Sequence, residues 1–142
     1  MATVKACYRK LKGYKYQLVK AYPLPIKIRP NRLINTGFIK LTMGGILTIK
    51  SGYAWDGASG APDTKNIMRA SLVHDALYQL MRQKDLDHLK DRKPADELLR
   101  DICIEDGMSK RRADLVYRAV RIFGLKSAKP RKKPKNKIIC VP

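Results

Sequence analysis

Acidic side chains are missing from long stretches of this chain. None occurs between Met1 and Trp55, and none follows Asp114. Cysteine is scarce: Cys7, Cys103 and Cys140 lie far apart, with no CxxC pair and no Cys/His cluster. Neither a disulfide framework nor a zinc site is supported, which leaves the thiols to be read as small hydrophobes of a reducing compartment. No apolar run approaches the roughly 20 residues of a membrane span. The N-terminus is basic but has no apolar core segment, so no secretory signal is expected and a cytoplasmic product is the default.

What is present is positive charge. Thirty-one Lys and Arg stand against twelve Asp and Glu, giving +19 over 142 residues. An excess this lopsided costs folding energy through self-repulsion, so it implies an anionic partner: nucleic acid, an acidic protein or a phospholipid surface. A hydrophobic content of 44% fits a globular chain with a real core.

The pattern predicts an α+β fold in one domain over residues 1–125, followed by a basic Lys/Pro-rich tail over 126–142. The sheet is expected over about 14–50. Tyr14 to Val19 suits a short strand, Tyr22-Pro23-Leu24-Pro25 should interrupt it, and Ile26 to Arg29 alternates apolar with basic. Phe38 to Thr42 and Ile46 to Lys50 flank Met43-Gly44-Gly45, a compact hairpin signal. A glycine-rich loop fills 51–65, with Asp63 or Thr64 as N-cap of the next helix.

Three helices are predicted at about 66–83, 94–106 and 109–123. The first has Ile67, Ala70, Leu77 and Leu80 on one side and Ser71, His74 and Tyr78 on another, with Asp75 about 100° round from His74. His88 lies in a charged connector and reads as solvated. Pro94 suits a first helical turn. Asp96 falls on the edge of the Ala95, Leu99, Cys103 stripe, so it is partly buried and needs a partner, His74 or an arginine. Ser109 caps the last helix, whose Ala113, Val116, Tyr117, Val120 and Phe123 read as a core stripe, with Arg111, Arg112, Arg118 and Arg121 as basic surface. In the tail, Lys126, Lys129, Arg131, Lys132, Lys133, Lys135 and Lys137 are placed to bind phosphates, and Ile138 to Val141 forms an apolar plug.

Trp55-Asp56-Gly57-Ala58-Ser59, His74-Asp75-Ala76-Leu77-Tyr78, Ala95-Asp96 and Tyr117 to Gly124, in this order, resemble the motif series of a family of small proteins encoded by tailed phages and prophages. That family has no assigned function. The resemblance covers roughly residues 35 to 124 and departs in the loop, where Gly60-Ala61-Pro62 follows the serine. It implies a phage origin, a place in the host cytoplasm or the virion, and a single cluster of Asp56, Ser59, His74, Asp75, Tyr78 and Asp96.

His74 oriented by Asp96 would be a general base able to activate water, with Tyr78 beside it. Asp56 and Asp75, with loop carbonyls near Gly57, are candidate ligands for calcium or another divalent cation. The arrangement is similar to that of secreted calcium-dependent phospholipases, which also place a glycine-rich calcium loop before a His-Asp helix. A second reading makes Ser59 a nucleophile with His74 as its base, although no nucleophile elbow is recognisable. A third is not enzymatic: a virion component, oligomeric within the particle, binding DNA or its neighbours, with His74, Asp75 and Asp96 as an internal polar network.

Overall fold

The computed structural model describes residues 4–13, 16–58, 62–131 and 140–142. It is an α+β fold: antiparallel strands first, helices after. Two small sheets form, where one was expected. The first joins β1 (Tyr8–Lys10), β2 (Tyr16–Leu18) and β7 (Ala54–Trp55) in that order. The second has the order β3-β6-β5-β4, from β3 (Tyr22–Pro25), β4 (Ile34–Asn35), β5 (Ile39–Leu41) and β6 (Ile46–Ile49).

The expected hairpin is β5–β6, with Ile39 opposite Ile49 and Leu41 opposite Leu47. Thr42 closes its turn, accepting from the Ile46 amide on its hydroxyl. The proline-rich stretch expected to interrupt the sheet is instead a strand. Its position explains why. β3 is an edge strand, the Ile26 amide points inward to the Gly45 carbonyl at 2.8 Å, and Pro23 and Pro25 therefore turn their missing N–H groups outward. Ile26 to Arg29, expected as a strand, is irregular, yet its alternation survives: Ile26 and Ile28 are buried, Lys27 and Arg29 exposed.

Helix α1 (Lys65–Arg82) lies at the centre of the fold. Residues buried along it fall on every face, from Ile67 through Leu72 and Ala76 to Met81, rather than on the single stripe expected. A helix apolar all round belongs inside. It packs on the sheet core of Leu18, Tyr22, Ile39, Leu41 and Leu47, where each fully buried Leu or Ile contributes on the order of 2 kcal/mol. Arg69 crosses that interface. Its guanidinium donates to the Tyr22 hydroxyl at 2.9 Å and to both carboxylate oxygens of Asp106 at 2.8–3.3 Å, with Glu105 at 3.1 Å.

Helix α2 runs from His88 to Glu105 and starts six residues earlier than Pro94 suggested. Asp87 caps it by accepting from the Leu89 amide, so His88 is half-buried helix rather than solvated connector. Helix α3 (Lys110–Phe123) begins at Ser109, as expected, but only Ala113 is buried. Its stripe is not core: Val116 and Val120 are half-buried and Phe123 is exposed. The tail does not begin extended at residue 126. Leu125–Ala128 forms a helical turn, α4, with Ala128 buried and the Ser127 carbonyl held by Arg82 at 2.9 Å. No helix among the described residues is long and apolar enough to cross a membrane.

Candidate functional site

The site is built on the exposed end of the first sheet. β7 carries Trp55, whose indole N–H donates to Ser71 on α1 at 3.1 Å, and the Ser71 hydroxyl in turn donates to the Met68 carbonyl. Ser71 is thereby a clamp between sheet and helix. Asp63, expected as a helix cap, fastens the following loop instead. It accepts from the Tyr16 hydroxyl at 3.0 Å and from the Ala58 amide at 2.9 Å, while Thr64 occupies the cap position without a side-chain cap bond. Gly57 has φ +82°, and a Cβ there would lie 2.5 Å from Asp63 Oδ1, so the loop closes only around a glycine. Ser59 lies outside the described residues.

His74, Tyr78 and Asp96 come together as the sequence implied. Asp96, 0% exposed, accepts on Oδ1 from His74 Nε2 at 2.7 Å and from the Tyr78 hydroxyl at 2.5 Å. Its Oδ2 accepts from Arg121 at 2.9 Å, with Arg92 Nε 4.0 Å away. Burial alone would raise the Asp96 carboxyl, but the bonds from His74, Tyr78 and Arg121 outweigh it and hold the group below its ordinary range. An ionised carboxylate only accepts, so Nε2 of His74 carries the proton of the bond to Asp96. Nδ1 has no hydrogen bond. It is not sealed off either: among the described residues Arg92 Nε alone is both buried and unpartnered.

His74 lines a cleft of about 530 Å³ between α1, α3 and the β7 loop. Trp55, Leu99, Val116 and Val120 supply apolar wall; Asp56, His74, Asp75 and Tyr78 bring the polar groups. Asp96 stands behind His74, outside the lining. Asp75 is half-buried and has no hydrogen bond or ion pair among the described residues. Burial pushes its carboxyl up to about 7; Arg82 opposes the shift and Asp56 adds to it. Asp56 itself is exposed.

Asp75 shares the cleft with Arg82, whose positive charge acts on its carboxyl without a direct ion pair. A divalent cation at Asp75 would need further oxygen donors beyond that carboxylate. No group of three or more His, Cys, Asp or Glu among the described residues could hold a metal, so such an ion would rely on backbone and water oxygens, as calcium commonly does.

A family model matches residues 38–120, from β5 almost to the end of α3. The chain belongs to the DUF1353 family. Its members are described as proteins of unknown function. The DUF1353 segment holds the loop, His74, Asp75, Tyr78 and Asp96, and it falls within the stretch over which the motif resemblance runs. No curated protein and no solved structure matches the chain.

Three arginines, Arg69 and Arg92 buried and Arg121 about a third exposed, were not recognised in the sequence as parts of these polar clusters. Arg121 and Arg92 meet at Asp96 or at the end of α3, where Arg92 donates to the carbonyls of Val120 and Arg121 at 2.9 and 2.6 Å. Arg69 is the third. One signal was available: Arg121 follows Ala113 by about two turns and so borders the buried face of α3. Gly124, just beyond, is at φ −79°, which any residue adopts, but a Cβ there would lie 2.8 Å from the Tyr78 hydroxyl. Of the basic tail, Lys126, Lys129 and Arg131 are exposed around α4, whereas Lys132, Lys133, Lys135 and Lys137 lie outside the described residues.

Proposed function

We propose that this DUF1353 protein is a His/Asp ester hydrolase of phospholipase type. One observation carries the reading: Asp96 holds His74 through Nε2, and His74, with Nδ1 unpaired among the described residues, lines an apolar-walled cleft together with Asp75. Buried polar groups built only for packing are normally satisfied.

In this reading a water in the cleft gives a proton to His74 Nδ1 as its oxygen attacks the ester carbonyl. Asp96 keeps its bond to Nε2–H and stabilises the imidazolium, while Tyr78 and Arg121 keep Asp96 ionised and fixed. The tetrahedral adduct then expels the alkoxide, which takes the proton back from Nδ1. Ester and water become carboxylic acid and alcohol, and the ring returns to its starting state. The walls at Trp55, Leu99, Val116 and Val120 are suited to an acyl chain. A divalent cation held at Asp75 would supply positive charge for the developing oxyanion and for a lipid phosphate.

The test is fatty-acid release from phosphatidylglycerol vesicles, with calcium and with chelator. His74→Gln should lower turnover by about a hundredfold or more while keeping its fold. Absence of hydrolysis by the wild-type protein with any divalent cation would sink the reading.

The motif series supports a tailed phage or prophage as source, with the protein carried in the virion. A second reading, a non-enzymatic virion component on DNA or acidic neighbours, is favoured by the +19 charge and by Asp96 tying three helices together. It requires DNA affinity that falls steeply with salt.

A further inference from the structure

Helix α3 carries more apolar surface than the fold covers. At about 100° per residue, its largely apolar arc runs from Val120 and Val116, which line the cleft, past Phe123 and Ala119 to Leu115 and Ile122, with Arg112 of the first turn falling inside it. The inner half is used by the cleft wall; the outer half meets solvent. Leu115 is 59% exposed, Ile122 70% and Phe123 79%. Leu115 and Ile122 share their stripe with Arg111 and Arg118, spaced four, three and four residues apart, and both arginines are exposed. α4 extends the patch with Leu125 and Lys126, also exposed. The helix carries one acid, Asp114, which lies three residues from Arg111 and four from Arg118 and so borders the arginine edge of this stripe.

Exposed aliphatic and aromatic side chains on an ordered helix are a liability unless something covers them. Nucleic acid would use the arginines but not Leu115, Ile122 or Phe123. The combination fits a bilayer surface with anionic headgroups: apolar side chains enter the acyl boundary while arginines stay at phosphate level. The patch is continuous with the cleft lip at Phe123, so a protein seated on it would present the cleft to the lipid.

We infer that the outer face of α3, with α4, is an interfacial surface that docks this protein on anionic lipid bilayers, delivering the cleft to its substrate. The inference rests on the hydrolase reading for its purpose, not for its test. Binding is read by flotation of the full chain with vesicles of ether-linked phosphatidylglycerol and phosphatidylcholine, which hold no ester to cleave, against ether-linked phosphatidylcholine alone.

The wild-type chain should float with the anionic vesicles. Both L115D/I122D and R111E/R118E should weaken binding at least about tenfold, since each loses apolar burial or headgroup attraction. All four side chains sit at the surface, so melting temperatures should hold, and if one pair unfolds the other decides. Wild-type protein that ignores anionic vesicles overturns the inference. So does L115D/I122D that binds as wild type, because the lysines elsewhere would then suffice. A self-associating protein that L115D/I122D turns monomeric with vesicle binding intact would assign the face to a second copy. A protein that floats normally but never cleaves ester-linked lipid sinks the hydrolase reading and leaves the surface standing.

Discussion

Two buried ionic clusters hang from α1, one at Arg69 and one at His74, and they are finished differently. At Arg69 the guanidinium meets Tyr22, Asp106 and Glu105, spanning strand, helix and helix end. Nothing in that cluster faces a cavity unpaired. In the His74 cluster Asp96 has as many partners, His74, Tyr78 and Arg121, yet among the described residues His74 Nδ1 and the neighbouring Asp75 carboxylate have no hydrogen bond. The first cluster has the economy of scaffolding, where each polar group is answered. Apart from the buried Nε of Arg92, the second stops short of completion on the side that lines the cleft. Burial and hydrogen-bond number alone would not separate them; what each leaves over does.

Substitutions can break that comparison. Asp96→Ala should have the largest effect, about 3–5 kcal/mol of stability in urea unfolding, because it strands Arg121 and two α1 side chains at a sealed position. Activity should vanish with it. Arg69→Leu should cost about 2 kcal/mol, less because Asp106 and Glu105 reach solvent, and turnover per folded molecule should be unchanged. If Arg69→Leu abolishes turnover at full folding, the two clusters are not different in kind.

Acid sharpens the contrast. The Asp96 carboxyl lies below its ordinary range, so its contribution is complete above the unfolded value of 3.8 and is lost as pH falls through the lower folded value. Wild type should therefore lose stability more steeply below about pH 4 than Asp96→Asn does, measured by urea midpoints across that range. Asp75→Asn should have the smallest effect and the opposite sign. Removing an unpaired, half-buried charge should raise the melting temperature at pH 8 by a few degrees, on the order of 1 kcal/mol, and should erase any stabilisation by calcium. A calcium response that survives Asp75→Asn would move the cation site elsewhere.

Much of this was legible in the letters. The β5–β6 hairpin follows from alternation around Gly44-Gly45, and the meeting of His74 with Asp96 follows from a carboxylate on an apolar stripe needing a partner. The strand at Tyr22–Pro25 was not, because proline is forbidden to a ladder only on its bonded side, and edge position is a property of the assembled sheet. The start of α2 was misplaced for a related reason: Pro94 fits a first turn so well that the capping Asp87, hidden among other charges, carried less weight. The α3 stripe looked like core because helical spacing records which residues share a face, not what covers it. Arginine was hardest. A buried guanidinium and a solvated one have the same letter, and only the carboxylate opposite distinguishes them.

Gly124 shows how far the reach of the site extends. It bears no side chain, needs no special backbone angle and touches no ligand, yet the space beside it is what lets the Tyr78 hydroxyl sit against Asp96. A single methyl group there would press on that hydroxyl and, closer still, on the Val120 carbonyl at the end of α3. In an unbiased screen for lost function, hits at position 124 should cluster with those at Tyr78 and Asp96. The glycine would be found by the vacancy it maintains.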